Sequence, residues 1–310
     1  MKSFALVVSL LGIGLVGCLD STSPTDPSTS TSADELDALG NDPPALGKHW
    51  ARGSGPSGGT SSPQLVYHSG AIMTSTAVTA IYWGTSWSDP TFAGDKISGL
   101  DTLYGGLGGT TYLTTNTEYT GTNGQVTTNV SYSGHVLDTG SSLTRTPKTS
   151  AIQAEVCKMI GNPVANGYYP VYTDLPRGHA GYCAWHSYGT CNGVPVQFGF
   201  FFSLDNDTGC DVNAIAPHSQ ALDSLANVTG HELSEMMTDP RNGGWYDSSG
   251  NENADKCAWT FPPDGGQTIA GQQWQIQGNW SNNAYTSGTG YTPRNTTNQP
   301  GCLDGSTQYP

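Results

Sequence analysis

The chain has 310 residues, a net charge of −14 and only 12% charged residues. This length allows one large domain or two small ones, with a sizeable buried core. The acidic balance argues against nucleic acid as a partner and against docking on an anionic membrane through a basic face, because both need clustered Lys and Arg. The 41 glycines are typical of a loop-rich, exported protein.

The first residues have the pattern of an export signal. Lys2 is followed by an apolar run over residues 4–16, which is typical of a secretory signal and too short to span a membrane as a helix. The run ends at Gly17 and Cys18, which resembles a bacterial lipobox and implies cleavage before Cys18 with lipid on its sulfur. An ordinary signal peptide with a chance cysteine is the alternative. We predict a signal peptide over 1–17 and a protein lipid-anchored to the bacterial envelope or surface.

The next stretch, residues 18–63, is rich in Ser, Thr, Pro, Gly and Asp. It contains too little apolar surface to fold on its own, so we predict a flexible tether between the lipid and the domain. Within it, Lys48, His49 and Trp50 are interpreted as a local contact without a function. The folded, extracellular domain is therefore placed at 64–310.

Hydrophobic patterns predict both strands and helices in this domain. The predicted strands are 77–83, 125–136, 168–173 and 194–204, and the predicted helices are 92–107, 149–160 and 219–238. The run over 194–204 is the strongest strand and is placed centrally in the sheet. The helix over 219–238 is the longest and ends before Pro240. Its core-facing residues are predicted to be Leu222, Leu225, Val228 and Leu233.

Six cysteines remain after Cys18, namely Cys157, Cys183, Cys191, Cys210, Cys257 and Cys302. An even number in an exported chain predicts three disulfides. The connectivity is not determined by the sequence, although Cys183 and Cys191 form a plausible local pair. None has Cys-x-x-Cys spacing, which argues against a zinc knuckle.

The candidate chemistry is concentrated between His231 and Cys257. Three of the six glutamates of the chain, Glu232, Glu235 and Glu252, lie in this stretch. His231 and Glu235 are four residues apart and would share one helix face, while Glu232 can lean toward the same point. The pattern is that of the H-E-x-x-H helix of metalloproteases, with glutamate in place of the second histidine.

This pattern predicts a zinc site, with another divalent ion as the alternative. Catalytic zinc takes nitrogen and oxygen ligands and keeps one position for water. His231, Glu235 and Glu252 are the predicted ligands, with Asp255 as the next candidate. Glu232 is the predicted general base, which accepts the proton of the water. A turn over 247–251 would return the chain to the helix, and Cys257 could hold it there.

The competing interpretation is a solvated helix face. Between Lys158 and Arg241 the chain carries a single cation, Arg177, so the carboxylates lack a counter-charge and favour a bound cation. Three further histidines, His179, His186 and His218, are weaker candidates. His218 is interpreted as a polar contact near a helix N-terminus, and His186 lies on an aromatic segment that either lines a cleft or packs in the core.

Several stretches carry a family resemblance. They are YHSGAIM at 67–73, IYWG at 81–84, YCAWHSYG at 182–189, and HELSEMMTDP followed by WYDSSGNENADKC. Together they resemble the EXORDIUM or phosphate-induced protein family, particularly its bacterial relatives, over most of the chain after residue 64. The resemblance implies an extracellular protein linked to cell-wall growth responses, without an established activity.

The sequence therefore predicts an α+β, disulfide-stapled and loop-rich domain with a zincin-like mixed sheet and an active-site helix. The first functional hypothesis is an exported zinc-dependent hydrolase, in particular a peptidase, whose substrate groove includes the strand over 194–204. The second is a non-catalytic surface protein that binds glycan or protein through aromatic loops such as Trp274 and Trp280 and holds a structural cation. Glu235 separates the two, because its negative charge weakens the Lewis acidity of a bound metal.

Overall fold

A six-stranded mixed sheet forms the centre of the fold. The computed structural model describes residues 42–55, 64–262, 266–292 and 300–305. The strands are β1 (Leu46–Trp50), β2 (Val66–Tyr67), β3 (Thr76–Trp83), β4 (Thr120–Gly121), β5 (Gly124–Gln125), β6 (Val130–Asp138), β7 (Gly167–Pro176), β8 (Tyr182–Cys191), β9 (Val194–Ser203), β10 (Trp245–Tyr246), β11 (Gln267–Ile269), β12 (Gln272–Trp274), β13 (Asn279–Trp280) and β14 (Cys302–Leu303).

The helices of the described residues lie between and after these strands. They are α1 (Pro90–Ala93), α2 (Lys96–Leu107), α3 (Thr111–Thr114), α4 (Thr149–Met159), α5 (Gln220–Thr238) and α6 (Asn282–Ser287), together with short 3-10 turns at Thr85–Ser88 and Asp255–Cys257. The mixed sheet, the helices and the disulfides confirm the coarse prediction of a mixed α and β, disulfide-stapled domain.

The strand order of the sheet is β1-β8-β9-β7-β3-β6. The pairs β6/β3, β3/β7 and β7/β9 are parallel, whereas β8 is antiparallel to β9 and β1 is antiparallel to β8. The central position of β9 confirms the prediction for 194–204. Eight consecutive residues of β9, from Val196 to Ser203, are buried, as expected for a strand covered on both faces.

Helix α5 is buried over almost its whole length. It begins after Ser219, whose hydroxyl accepts a hydrogen bond from Leu222 N at 3.1 Å, and ends at Thr238, two residues before Pro240. Every residue from Leu222 to Thr238 is buried. The helix packs against α2, β1, β8 and β9. Polar residues on any face of α5 are therefore held inside the protein, where each needs a partner.

Three disulfides connect the predicted cysteines, in the pairs Cys157–Cys191, Cys183–Cys210 and Cys257–Cys302. The predicted number of bridges is confirmed. The local pair Cys183–Cys191 is wrong, because both residues lie on β8 near its opposite ends. An extended strand rises about 3.3 Å per residue, so eight residues separate the two sulfurs far beyond bonding distance.

The N-terminal predictions fall partly outside the described residues. The signal peptide over 1–17, the lipidation of Cys18 and the tether residues 18–41 and 56–63 all lie there. Residues 42–55, which the composition places in the tether, are instead part of the fold, since β1 pairs with β8. In the described part of the chain, no helix combines the length and apolar character needed to cross a membrane.

Candidate metal centre

Helix α5 carries three acidic or basic side chains into one buried cluster. His231, Glu232 and Glu235 all have no solvent exposure. As the four-residue spacing predicts, His231 and Glu235 lie on one helix face, with Nε2 of the histidine 3.1 Å from Oε1 of the glutamate. The competing interpretation of a solvated helix face is therefore wrong, because this face is inside the protein.

The chain after α5 folds back and adds two more carboxylates. Asp239 starts this return, since its Oδ1 accepts hydrogen bonds from Gly243 N at 2.7 Å and Gly244 N at 2.8 Å. Further along, the backbone N of Asp255 donates to Glu235 Oε1 at 2.7 Å. Asp255 Oδ1 then lies 3.6 Å from His231 Nε2. Glu252, three residues earlier, is also buried.

A turn and a disulfide hold this return loop, residues 239–257, in place. Asp247 Oδ1 accepts hydrogen bonds from the backbone N of Ser249 at 2.8 Å and of Asn251 at 3.0 Å. Its other oxygen accepts from Lys256 Nζ at 3.0 Å. Cys257 is bonded to Cys302. The turn predicted over 247–251 and the disulfide predicted at Cys257 therefore both act on the loop that carries Glu252 and Asp255.

Strand β8 contributes His186, which the sequence left open between cleft and core. The ring is fully buried and lies among the carboxylates. Its Nδ1 is 3.3 Å from Glu232 Oε2 and 3.9 Å from Glu235 Oε2, while Nε2 is 3.7 Å from Glu252 Oε1. The aromatic segment thus supplies a second histidine to the cluster.

The ligands fall into two groups that share one residue. His231, Glu235 and Asp255 form one group, and His186, Glu235 and Glu252 form the other. Within each group, one possible ligand atom from each residue lies within 4.8 Å of the others. All four predicted ligands are in the cluster, but Glu252 is next to His186 and Asp255 is next to His231.

Strand β1 covers this cluster. Gly47 has a φ of +44°, and a Cβ at this position would lie 2.1 Å from Glu235 Oε2 and 2.5 Å from His186 Cε1. Both the backbone conformation and the close approach therefore require glycine. Two residues later, the backbone N of His49 lies 3.4 Å from Glu232 Oε1, and the His49 and His231 rings are 4.4 Å apart.

His49 is the residue that sequence reasoning dismissed. Its side chain has no solvent exposure, and Nε2 lies 3.0 Å from Gln277 Oε1. The signal in the sequence was the segment LGKHW at Leu46–Trp50, which places apolar and aromatic residues inside a polar stretch. Such a segment can form the edge strand of a sheet. The composition averaged over residues 18–63 does not reveal it, because the other residues of that stretch are mostly polar.

Gln277 connects His231 to His49. Its Nε2 lies 3.1 Å from His231 Nδ1 and donates to Ala254 O at 2.8 Å. Its Oε1 accepts from Trp259 N at 3.2 Å. A metal at His231 Nε2 requires the ring proton on Nδ1, where it needs an acceptor. Binding at that atom therefore requires the Gln277 amide to turn.

Burial dominates the electrostatics of the cluster. It raises the pKa of Glu232 and of Glu252 well above the usual range, and neighbouring carboxylates add to both shifts. Burial and Asp255 raise the pKa of Glu235 to about 7. Burial lowers the pKa of His186 to about 3. These carboxyl groups must therefore hold protons or gain a cation at neutral pH.

The pKa of His231 shifts in the opposite direction from that of His186. Burial alone lowers its pKa, but the charge of Glu235 and the contacts with Asp255 outweigh burial and hold the pKa well above the usual range. His231 is thus the positive charge of the cluster in its ion-free form. A divalent cation would compete with this proton for the same carboxylates.

Unpaired buried atoms test whether the residues fit a metal. Glu235 Oε2, Glu252 Oε2 and His231 Nε2 are all buried and have no hydrogen-bond partner. Imidazole nitrogens and carboxylate oxygens are the donors that zinc and similar ions take. The described residues therefore include buried His, Glu and Asp groups that could hold a metal ion.

A cleft of about 270 Å³ reaches the cluster from outside. It lies between β1 and the return loop, and its lining includes Gly47, Tyr246, Glu252 and Asp255. The aromatic residues proposed for glycan binding are elsewhere. Trp274 and Trp280 are 0% and 1% exposed, so they offer no binding surface, and that prediction is wrong.

Comparison with known proteins finds no relative. No protein-family model, no curated protein and no solved structure matches the chain. The resemblance to the EXORDIUM family therefore stays a prediction from the quoted motifs, and the function has to be argued from the site.

Proposed function

We propose that the protein is an exported, metal-dependent hydrolase that cleaves peptide bonds. The observation that carries this proposal is the path of β1. This extended piece of polypeptide crosses the cluster, antiparallel to β8, with the Gly47 backbone against Glu235 and His186. The site thus already accommodates a peptide backbone beside its candidate ligands.

The edge of β8 explains why an extended peptide suits this site. A strand edge offers backbone N–H and C=O groups that pair with any extended chain, irrespective of its sequence. β1 uses this edge at the register Leu46 to His186 and Trp50 to Tyr182. A substrate peptide that replaced β1 would place its backbone at the position of Gly47. The α5 helix packed against β8 and β9 supports the zincin-like part of the proposal.

The residues of the chain divide the chemistry between them. A bound divalent ion would polarise the scissile carbonyl and make a neighbouring water more acidic. Glu232 accepts the proton of that water and passes it to the leaving amine. Glu232 lies within 3.3 Å of His186 Nδ1, which keeps its carboxylate beside the ligands.

Complete burial of the cluster favours a second candidate, a non-catalytic surface protein with a structural cation. The side chains of His186, His231 and Glu235 have no exposure, and that of Asp255 is 11% exposed. In this alternative the ion joins α5 to the return loop and never meets a substrate. The two candidates differ in the role of Glu232, which is a base in the first and a structural acid in the second.

The deciding experiment measures cleavage of a quenched fluorescent peptide library by the zinc-loaded protein, with and without chelator. Assays use the wild type and a Gly47→Ala background, in which the new methyl group collides with Glu235. We expect chelator-sensitive cleavage that Glu232→Gln abolishes while metal content stays unchanged. Glu118→Gln, which alters a partly buried carboxyl that caps α6, is the matched control and should retain activity.

Two results would reject the peptidase. One is metal binding without cleavage in either background. The other is cleavage that survives Glu232→Gln, since an amide cannot accept the proton of the water. Either result leaves the structural cation as the better account of the cluster.

A further inference from the structure

Glu235 lies between two sets of ligands and turns a different oxygen toward each. Its Oε1 is 3.1 Å from His231 Nε2, in the group completed by Asp255. Its Oε2 is 3.9 Å from His186 Nδ1, in the group completed by Glu252. This is the arrangement of a carboxylate that bridges two ions, with one oxygen bound to each.

The unpaired atoms distinguish one ion from two. An ion held by His231 and Asp255 would use His231 Nε2 but leave Glu235 Oε2 and Glu252 Oε2 without partners. An ion held by His186 and Glu252 would use those oxygens but leave His231 Nε2 with only its ion pair to Glu235 Oε1, at 3.1 Å and without hydrogen-bond geometry. A buried polar atom without a partner is destabilising, because it has lost its hydrogen bonds to water. Two ions would give each of the three atoms a bond to metal.

Spacing within each group is compatible with its own ion. Ligand bonds of about 2.0–2.2 Å around one ion place neighbouring donor atoms about 3–4 Å apart. His231 Nε2 lies 3.1 Å from Glu235 and 3.6 Å from Asp255. In the second group, His186 Nδ1 lies 3.9 Å from Glu235 Oε2 and His186 Nε2 lies 3.7 Å from Glu252 Oε1, and one ligand atom from each residue lies within 4.8 Å of the others. Small side-chain shifts would complete the first site, and the second also needs the His186 ring to turn one nitrogen toward both carboxylates.

The charge of the carboxylates in the cluster also favours two ions. The ion pairs of Glu232, Glu235, Glu252 and Asp255 are all with histidines, His186 and His231. One dication compensates two of these four carboxylates, so the other two would have to stay protonated in this buried space. Two dications balance all four while both histidines are neutral, as ligands must be. Buried charge without compensation is strongly unfavourable.

We propose that the centre binds two divalent ions bridged by Glu235, one held by His231 and Asp255 and the other by His186 and Glu252. The inference rests on the proposed metal-dependent function and deepens it. Two ions about 3.5–4 Å apart can stabilise the attacking and leaving groups together. A second ion would also offset the loss of Lewis acidity that Glu235 causes at a single ion.

Metal stoichiometry and magnetic coupling test the proposal without any activity assay. Purified full-length protein is stripped with chelator and titrated with Zn²⁺ or Mn²⁺, and bound metal is counted by mass spectrometry. We expect two ions per chain, and the Mn²⁺-loaded protein should give the electron paramagnetic resonance signature of a coupled pair. Asp255→Asn and His186→Gln should each bind one ion and lose the coupling. Glu118→Gln, outside the cluster, should keep both.

Several outcomes overturn the inference. Saturation of the wild type at one ion overturns it while leaving the peptidase proposal intact if cleavage still depends on Glu232. Two ions without magnetic coupling exclude the bridge. No bound ion rejects the two-ion centre and the metal-dependent function together. If either variant fails to fold, the stoichiometry and coupling of the wild type still decide.

Discussion

The backbone of Gly47 lies directly against the carboxylate of Glu235, so that a single added methyl group would fall 2.1 Å from Glu235 Oε2. These residues are far apart in the chain and belong to an edge strand and a buried helix. Their contact places β1 over the centre, where the proposed peptide substrate would lie. In this position β1 covers the centre, and under the proposed function it would keep a substrate out.

Gly47→Ala should release this block. The methyl group collides with Glu235 and His186, and φ of +44° is unfavourable for alanine, so β1 should leave the edge of β8. We expect faster peptide cleavage and faster exchange of bound metal, measured by fluorescence and by competition with a chelating dye.

Gly53→Ala is the matched control for that substitution. Gly53 has a φ of +75° but nothing within 4 Å of the added Cβ. It should therefore carry similar backbone strain without displacing β1. Equal effects of the two substitutions, or lower activity in Gly47→Ala with intact metal content, would show that β1 does not block the centre.

Removal of metal should lower the thermal stability of the wild type. A ligand that binds only the folded state, at about 100 times its Kd, stabilises by about 2.7 kcal/mol. For a domain of this size that corresponds to a Tm shift of about 5–10 °C. Differential scanning calorimetry with zinc and with chelator measures the shift.

His231→Ala should lose most of this response, because it removes a buried ligand that no other side chain replaces. His179→Ala should keep it, since His179 is an exposed residue between β7 and β8. A His231→Ala protein that still gains full stability from zinc would remove His231 from the ligand set.

Removal of the Cys257–Cys302 disulfide should weaken metal binding. This bridge holds the loop that carries Glu252 and Asp255, and a looser loop pays more conformational entropy when it orders around an ion. Paired Cys257→Ser and Cys302→Ser substitutions should therefore raise the Kd for zinc, measured by isothermal titration calorimetry.

The Cys157–Cys191 disulfide provides the comparison. It joins α4 to the end of β8, away from the return loop. Its removal should lower the free energy of unfolding by about 2–4 kcal/mol while leaving the Kd for zinc unchanged. If both pairs of substitutions weaken zinc binding equally, the effect comes from general stability rather than from the loop.

Glu155, which lies outside the metal centre, should make the free energy of unfolding depend on pH. Burial raises its pKa from 4.5 to about 7, although Lys158 lies 3.1 Å away and Asp138 competes for the same ammonium. Because the folded protein favours protonated Glu155, its contribution to stability is present below pH 4.5 and is lost as pH rises to about 7.

Glu155→Gln should therefore gain stability relative to the wild type as pH rises through this window, measured by urea denaturation of the metal-saturated proteins. Lys158→Met removes the cation that lowers the pKa of Glu155. In this variant the pH range over which Glu155 lowers the free energy of unfolding should therefore extend to higher pH. Parallel stability curves for the wild type and Glu155→Gln would show that Glu155 keeps an ordinary pKa in the folded protein.

Local patterns in the sequence determined the helix that carries His231, Glu232 and Glu235, because a four-residue spacing places side chains on one face wherever the helix packs. Continuous apolar residues likewise identified β9 as a buried strand, and the cysteine count predicted three disulfides. These features depend on neighbours along the chain, so one sequence is enough to predict them.

Tertiary structure decided which residues meet. His186 joined the cluster because β8 pairs with β9 beside α5, and Gly47 and His49 joined it because β1 pairs with the edge of β8. The partners of the cysteines, and the separate placement of Glu252 and Asp255, likewise depend on how the return loop packs. Contacts between distant residues follow from the packing of whole elements, and no periodicity within a single segment records them.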